Sequence, residues 1–250
     1  MRQQVVCYHA LSETWPAALS VTPASFEGQL AFLARRGYQG VTFAEAVEAG
    51  PDAPVVAVTF DDAYTSVLDV GLSLLERHGW PATVFVPTRF PHADGPMSWD
   101  GIDQWVGGPH EREMGCLSWD RLRELAERGW EVGSHTRSHP HLTQLGDAEL
   151  REELGRSREE TAEALGRDCR SIAYPYGDVD DRVVAAAEAA GYSYGATLRA
   201  SIPEPAPLRW PRTGIYHGDR TWRWRVKLSP SVVRARASRM GALADRVRGA

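Results

Sequence analysis

Four short segments of this sequence carry residue types that could form a hydrolytic metal site. Asp61 and Asp62 directly follow Val55 to Phe60, a run of apolar and β-branched residues typical of a strand buried on both faces. Adjacent carboxylates repel each other unless a cation, a proton or a hydrogen-bond donor compensates. The pair therefore favours a metal ion at the strand end, against the simpler alternative of a turn or helix cap. The four segments are Thr59-Phe60-Asp61-Asp62, His135-Thr136-Arg137-Ser138-His139, Tyr174-Pro175-Tyr176-Gly177 and Tyr8-His9.

The second segment supplies two imidazoles. His135 and His139 are four residues apart and follow another short strand pattern, Trp130 to Val132. On a helical turn both rings would project from one face and could share an ion. Two imidazoles and one carboxylate leave coordination positions for water and substrate, as catalytic zinc centres do. Surface placement is the alternative for these histidines alone, but two such motifs at strand ends favour a metal site.

In this order, the motifs resemble those of the polysaccharide deacetylases, a carbohydrate esterase family 4-like group that includes chitin and peptidoglycan deacetylases. The resemblance runs from about Val5 to His217 and is nearest to the poly-N-acetylglucosamine deacetylase branch. It implies fold class α/β, an irregular (β/α) barrel of seven to eight strands. It also implies a metal-dependent hydrolase that removes the N-acetyl group from an amino sugar or glycoconjugate and releases acetate. Further matching segments are Tyr8-His9-Ala10, Val21-Thr22-Pro23, Gly37-Tyr38, Gly79 to Val86 and Leu117-Ser118-Trp119-Asp120.

Carried over residue by residue, the resemblance implies that Asp62, His135 and His139 hold a divalent metal, with zinc as the first choice and cobalt as an alternative. It implies that Asp61 is the catalytic base, which accepts a proton from the attacking water. A backbone N–H at Tyr176 is expected to stabilise the oxyanion.

The sequence departs from the family pattern at two roles. The Arg that often begins the third motif is replaced by Ala173, and Arg212 is the candidate substitute. Arg212 is also grouped with Tyr176 and His9 on the substrate-binding side of the site. The donor of a proton to the leaving amine is open between His217, the first candidate and a catalytic residue in this assignment, and His9, which ends the first strand.

Two other functions remain open at this point. One is hydrolysis of another non-peptide C–N bond, in an amide or cyclic ureide. The other is a catalytically silent carbohydrate-binding domain, which Ala173 supports. The intact Asp61 beside a three-ligand metal set argues against a pure binder, because binding alone has no use for a free base.

Strand and helix patterns alternate along the chain, as they do in βα units. Barrels of this kind carry their sites at the C-terminal ends of the strands, where the motifs fall. The long segment from Thr88 to Gly115 follows a strand end, and it either brings Trp99 or Trp105 over the site or is a surface loop whose tryptophans have no such role. The predicted strands lie near residues 4–8, 39–43, 55–60, 82–86, 130–134, 171–174, 193–198 and 209–215.

The length of the chain and the distribution of its charges predict its domain organisation. With 250 residues and 43% hydrophobic residues, one barrel over residues 1–220 can bury a sizeable core, followed by a basic helical extension over 221–250. Residues 209–250 hold eleven Lys or Arg against two Asp, although the net charge of the whole chain is −5. Two interpretations of that region stay open: a solvated basic face, or a surface that contacts an anionic membrane or a diphosphate group. No nucleic-acid-binding pattern is recognised.

Cysteine usage and the first residues bear on location. Cys7, Cys116 and Cys169 are widely spaced and predict neither a disulfide framework nor a zinc cluster, and Cys7 is expected in the core of the first strand. The sequence shows no secretion signal pattern at its start, so a cytoplasmic location is expected.

Overall fold

A parallel sheet curled into a nearly closed barrel forms the centre of the protein. The computed structural model describes residues 3–50, 52–198, 206–219 and 221–229. The barrel strands are β1 (Gln4–Tyr8), β4 (Gln39–Val41), β5 (Val55–Phe60), β6 (Thr83–Val86), β7 (Glu131–Ser134), β8 (Ser171–Ala173), β9 (Tyr194–Thr197), β10 (Trp210–Pro211) and β11 (Thr213–Gly214). A separate parallel pair consists of β2 (Ala10–Leu11) and β3 (Ser20–Val21).

Helices connect most of the strands, as in βα units. A π-helical turn, Val67–Gly71, leads directly into the short third helix. Gly71 lies against Leu11 and Phe60, and a Cβ there would come within 3.3 Å of the Leu11 side chain. The helices are α1 (Pro23–Ala34), α2 (Phe43–Ala49), α3 (Leu72–Glu76), α4 (Trp119–Glu127), α5 (Asp147–Leu165), α6 (Asp181–Ala189) and α7 (Thr221–Lys227).

One extended segment closes the barrel. Its first part, β10, pairs with β9, and its second part, β11, pairs with β1. Arg212 stands between the two parts, and its N–H donates to Thr197 O over 3.0 Å. The order around the barrel is β11, β1, β5, β6, β7, β8, β9, β10, with β4 beside the first half of β5. Because β10 and β11 share one position, nine strands fill eight positions, which confirms the predicted barrel.

Alanine and valine side chains together with three aromatic rings fill the barrel interior. Alternate residues of the strands, among them Val6, Val58 and Val84, pack outward against the helices. The intervening residues form a second cluster, made of Val5, Ala57, Phe85, Ala173, Ala196 and Trp210 together with Phe43 and Ala46. Gly133 of β7 belongs to this interior layer, since a Cβ there would lie 2.5 Å from Ser171 Oγ and 2.7 Å from the Phe85 ring. The interior is therefore closely packed below the strand ends that carry the motifs.

Helix α7 packs on the outside of the barrel. Its Trp224 ring lies edge-on to Phe32 of α1, with centroids 5.1 Å apart. Lys227 Nζ donates to Asp219 Oδ2 over 2.5 Å and to Gly214 O over 3.0 Å. Residues 230–250 of the predicted basic extension lie outside the described residues, so their membrane or diphosphate contact stays a prediction. Within the described ranges, no helix has the length and apolar character needed to cross a membrane.

We predict that Gly133→Ala destabilises the fold by about 1–3 kcal/mol, because the added methyl group overpacks the barrel interior. The matched control is Gly155→Ala in α5, where nothing lies within 4 Å of the new Cβ. That control is expected to be neutral or to stabilise by about 0.5–1 kcal/mol, since alanine favours a helix interior. Urea unfolding of both variants measures the difference, and equal stability would contradict the packing argument.

Candidate active site

The two adjacent carboxylates have different partners. Asp61 extends the β5 pairing, since its N–H donates to Tyr8 O over 2.9 Å. Asp62 and Ala63 then adopt left-handed φ values of 69° and 54°. Both Asp side chains are buried. Asp61 faces Arg212, and Asp62 faces the two histidines, so the sharp turn after β5 separates the roles of the two neighbours.

Arg212 forms a bidentate ion pair with Asp61. Its Nη1 and Nη2 donate to Oδ1 and Oδ2, each over 2.7 Å, and Nη1 also donates to Thr59 Oγ1 over 3.0 Å. Burial raises the pKa of Asp61, but the Arg212 guanidinium, together with the nearby His135 and His9, outweighs burial and holds the pKa well below the ordinary value. Asp61 is therefore ionised at neutral pH. Arg212 thus lies where a substitute for the Arg missing at Ala173 is needed.

Its burial does not fit the assignment of Arg212 to substrate binding. The side chain is 0% exposed and is absent from the described residues that line the open cleft. The reason is its position on the segment that closes the barrel, from which it points inward. Arg212 positions the Asp61 carboxylate and does not line the cleft.

The histidine motif is an irregular loop, not the helical turn predicted from its spacing. After β7 the chain has φ values of 65° at Thr136 and 62° at His139. His135 Nδ1 lies 2.8 Å from the carbonyl oxygen of Ala173, a contact that places the proton on Nδ1 and leaves Nε2 free as a ligand. His135 Nε2 and His139 Nε2 lie 3.3 and 3.4 Å from the same atom, Asp62 Oδ1.

Glu153 of α5 holds this loop in place. Its carboxylate accepts from the N–H groups of Arg137 and Ser138 over 2.8 and 2.9 Å and from Ser138 Oγ over 2.6 Å. Sequence reasoning missed Glu153, because it is one of several acidic residues on a helix with charged faces. Only the way α5 packs beside the loop distinguishes it.

An aromatic residue from the long segment 88–115 orients the second histidine. Trp99 stacks on the His139 ring, with centroids 4.2 Å apart and an interplanar angle of 17°. Tyr176 meets the same ring edge-on at 4.7 Å. His139 Nδ1 is buried with no hydrogen-bond partner among the described residues, so ring packing and not a hydrogen bond fixes this imidazole. The prediction that Trp99 lies over the site is confirmed.

The donor set fits a divalent metal. Ligand atoms of Asp62, His135 and His139 lie within 4.8 Å of one another, and Asp62 Oδ1 has no hydrogen-bond partner in the described part of the chain. Oxygen and nitrogen ligands of tetrahedral zinc lie about 3.3 Å apart, close to the two distances above. Burial lowers the pKa of His139 to about 3. For His135 burial also lowers the pKa, but Asp61 and Asp62 outweigh it and raise the pKa above its ordinary value. The buried carboxylates therefore favour a positive charge at this site, and the neutral His139 ring keeps a lone pair for an ion.

The metal set opens into a cleft of about 390 Å³. One wall is the loop between β2 and β3, through residues 16–19, and the opposite wall is the segment from Trp99 to Trp105. Both candidate tryptophans of that segment thus line the cleft. The residues at its floor and sides that bear on chemistry are His9, Asp61, Asp62, His135, His139, Tyr176 and Tyr216.

The structure separates the two candidate proton donors. His9 lines the cleft and is half-buried, and its Nδ1 is buried without a hydrogen-bond partner among the described residues. His217 is exposed, and its N–H donates to Ala18 O over 2.8 Å. In the described part of the chain, the cleft is lined by its neighbour Tyr216 and not by His217. The first choice, His217, therefore does not fit, because the chain turns outward after Tyr216.

Tyr176 lies at the edge of the cleft in a strained conformation. Its φ of 59° is left-handed, and its ring stacks on His141 at 3.9 Å. Its hydroxyl donates to Asp100 O over 3.1 Å, which ties the Pro-Tyr-Gly turn to the opposite wall. The proposed role of its backbone N–H stays a prediction.

Comparison with known proteins identifies the family. A family model described as "Polysaccharide deacetylase" matches residues 48–195, more than half of the chain. The chain belongs to the polysaccharide deacetylase family.

Individual relatives are distant. The Bacillus subtilis (strain 168) protein YxkH, named for the same family, is 27% identical over 198 residues, which cover 77% of this chain and 63% of the relative. The poly-β-1,6-N-acetyl-D-glucosamine N-deacetylase of Staphylococcus epidermidis is 24% identical over 208 residues, with 77% and 67% covered. The chain thus spans about two thirds of the length of these relatives. The solved structure of the Streptococcus pyogenes deacetylase PplD in complex with acetate is 23% identical with a TM-score of 0.75, covers 92% of this chain and 99% of its own, and shows the same fold.

We predict that Arg212→Met destabilises the protein by about 3–5 kcal/mol at neutral pH, because it leaves the Asp61 carboxylate buried and unpaired. In the native protein the folded pKa of Asp61 lies below its unfolded value, so the contribution is present above about pH 4 and is lost as pH falls further. In the variant the folded pKa rises above the unfolded value, so lowering the pH from 7 towards 4 should recover stability. Urea unfolding across this range tests the sign. Arg212→Lys keeps the charge and should lose less, and a variant with the native pH profile would contradict the pairing.

Proposed function

We propose that this protein is a zinc-dependent hydrolase that removes acetyl groups from N-acetylated amino sugars of a glycan. The observation that carries the proposal is an ionised Asp61, paired with Arg212, beside the donor set of Asp62, His135 and His139 in one cleft. When bound to that set, a divalent ion lowers the pKa of a water molecule and polarises the acetyl carbonyl group.

Asp61 is the general base of the proposed reaction. Arg212 keeps the carboxylate anionic and fixes its orientation. Of the four lone-pair sites of a carboxylate, Arg212 occupies one on each oxygen, and the Cys7 thiol, 3.4 Å away, occupies a second on Oδ2. Oδ1 therefore keeps the lone pair that accepts the proton of the attacking water.

His9 donates the proton that the leaving amine needs. It lines the same cleft as Asp61, and a ring nitrogen lies within 4.8 Å of an Asp61 oxygen. An amide nitrogen leaves as a neutral amine only if it is protonated, so a positioned acid lowers the barrier. Tyr176 contributes its backbone N–H to the developing oxyanion, as preorganised donors do in acyl transfer.

The cleft suits a carbohydrate. Its walls carry Trp99, Trp105, Tyr176 and Tyr216 beside the apolar residues 17–19, and such faces pack against the C–H surfaces of sugar rings. The staphylococcal relative is named for poly-β-1,6-N-acetyl-D-glucosamine. This supports a β-linked N-acetylglucosamine chain as the substrate.

The activity is tested by acetate release from β-1,6- and β-1,4-linked N-acetylglucosamine oligomers and from a nucleotide-linked N-acetyl sugar. A chelator should abolish release, and added zinc or cobalt should restore it. Release from the nucleotide-linked sugar alone would reject the glycan, and no release from a metal-loaded protein would reject the function.

Asp61→Asn is expected to lower kcat by about 10²–10⁴-fold, because the amide cannot accept the proton. It should keep one metal ion per chain, since Asp61 does not belong to the donor set of Asp62, His135 and His139. His135→Ala is the complementary variant and should lose the ion. Metal content by mass spectrometry with acetate release separates the roles, and an active Asp61→Asn enzyme would show that the base lies elsewhere.

His9→Gln is expected to lower kcat for a sugar amide by about 10²-fold or more. For an aryl acetate ester the loss should be small, because that leaving group departs without a proton. His217→Gln is the matched control and should retain full activity on both substrates. A loss in His217→Gln instead would return the acid role to His217.

A further inference from the structure

A second set of donor atoms adjoins the candidate metal site. Cys7 Sγ, a ring nitrogen of His9 and a carboxylate oxygen of Asp61 lie within 4.8 Å of one another. Cys7 is fully buried in β1, whereas His9 and Asp61 line the cleft. An ion in the cleft can therefore reach all three donors through His9 and Asp61.

The spacing of these atoms matches a tetrahedral ion. The Cys7 thiol donates a hydrogen bond to Asp61 Oδ2, with Sγ and Oδ2 3.4 Å apart. With zinc–sulfur and zinc–oxygen bonds of about 2.3 and 2.0 Å, two tetrahedral ligands lie about 3.5 Å apart. His9 Nδ1 is buried and lacks a hydrogen-bond partner among the described residues. Cys7 Sγ, Asp61 Oδ2 and the unpartnered nitrogen of His9 can thus serve as ligands without a change in the strand positions.

We propose that Cys7, His9 and Asp61 form a second metal site, which takes a thiophilic divalent cation such as Zn²⁺ or Cd²⁺ and inhibits the enzyme. The cation replaces the thiol proton. The S–H bond of Cys7 breaks, the proton passes to solvent, and Sγ and Oδ2 both bind the ion, with a nitrogen of His9 as the third ligand.

The charges of the donor atoms permit a second ion, and the proton on the thiol makes that ion the more weakly bound one. A thiolate and a carboxylate carry two negative charges, and Arg212 beside Asp61 reduces the local sum to one. The set of Asp62 with two neutral histidines also sums to one negative charge. The incoming ion must also displace the thiol proton that Cys7 donates to Asp61, whereas the set of Asp62 and two neutral histidines has no such proton to lose. The second site therefore fills only after the first.

Donor type determines which ions bind. Thiolate and imidazole favour Zn²⁺ and Cd²⁺, whereas Mg²⁺ and Mn²⁺ favour oxygen ligands. Occupancy withdraws both the base and the proton donor, a consequence that rests on the proposed function. Zn²⁺ would thus activate the enzyme at one equivalent and inhibit it in excess, while Mg²⁺ would not inhibit.

The test is a Cd²⁺ titration of the zinc-loaded full-length protein, followed by ultraviolet thiolate-to-cadmium absorption and by metal content. We expect one further ion per chain together with the absorption band. Cys7→Ser should lose both. Cys169→Ser is the matched control, a buried thiol whose Sγ contacts Ser171 O, and it should keep both.

Two further variants make the result decisive. Cys116→Ser should keep the band, so a band that is lost there and kept in Cys7→Ser overturns the proposal. His9→Gln should keep the band but bind the second ion more weakly. Circular dichroism establishes that each variant is folded.

Inhibition is measured separately from binding. In Cys7→Ser the Cd²⁺ concentration that halves acetate release should rise about tenfold or more, because the softest ligand is gone. An unchanged value overturns the inhibitory role. If the protein releases no acetate from any substrate, the proposed function fails, and the absorption titration still decides the metal site.

Discussion

The buried ion pair between Arg212 and Asp61 is the interaction on which the site depends. A carboxylate buried without a partner takes up a proton and can no longer act as a base. The guanidinium prevents this with two parallel hydrogen bonds, which also fix the plane of the carboxylate. A buried pair of this kind adds little net stability, because desolvation offsets most of the attraction. Its effect is on the protonation state and orientation of Asp61.

The rest of the site is held by contacts that compensate an unfavourable backbone. Asp62, Thr136, His139 and Tyr176 all have left-handed φ values, which are unfavourable for residues with a side chain. Glu153 satisfies the N–H groups of the histidine loop, and Trp99 packs on the ring of His139. Protein contacts therefore hold the donor atoms of this site in place, and a small local strain is balanced by packing from α5 and from segment 88–115.

The sequence was sufficient for the barrel and for its most local motifs. Alternating strand and helix patterns predict the eight strand positions, because each strand is a short apolar run with its own turn signals. Asp61, Asp62, His135 and His139 could be singled out because two carboxylates are adjacent at one strand end and two imidazoles are four residues apart at another. The separate role predicted for each came from the family resemblance. The contacts of Arg212, Glu153 and Trp99 could not be derived in this way, since each joins segments distant along the chain. His217 was preferred to His9 for the same reason, because the outward turn after Tyr216 depends on how the closing segment meets β1 and the β2–β3 loop.

The closing segment also sets the order in which a working site can arise during protein synthesis. A ribosome completes all the proposed metal ligands by His139, but Arg212 and the strand that joins β9 to β1 come much later in the chain. A nascent chain that ends between these points has its ligands but an open barrel and an unpaired Asp61. The closed barrel and the paired form of Asp61 therefore arise together, in one late step that follows synthesis of the closing segment. Products of premature termination before residue 212 would lack the guanidinium that keeps Asp61 ionised.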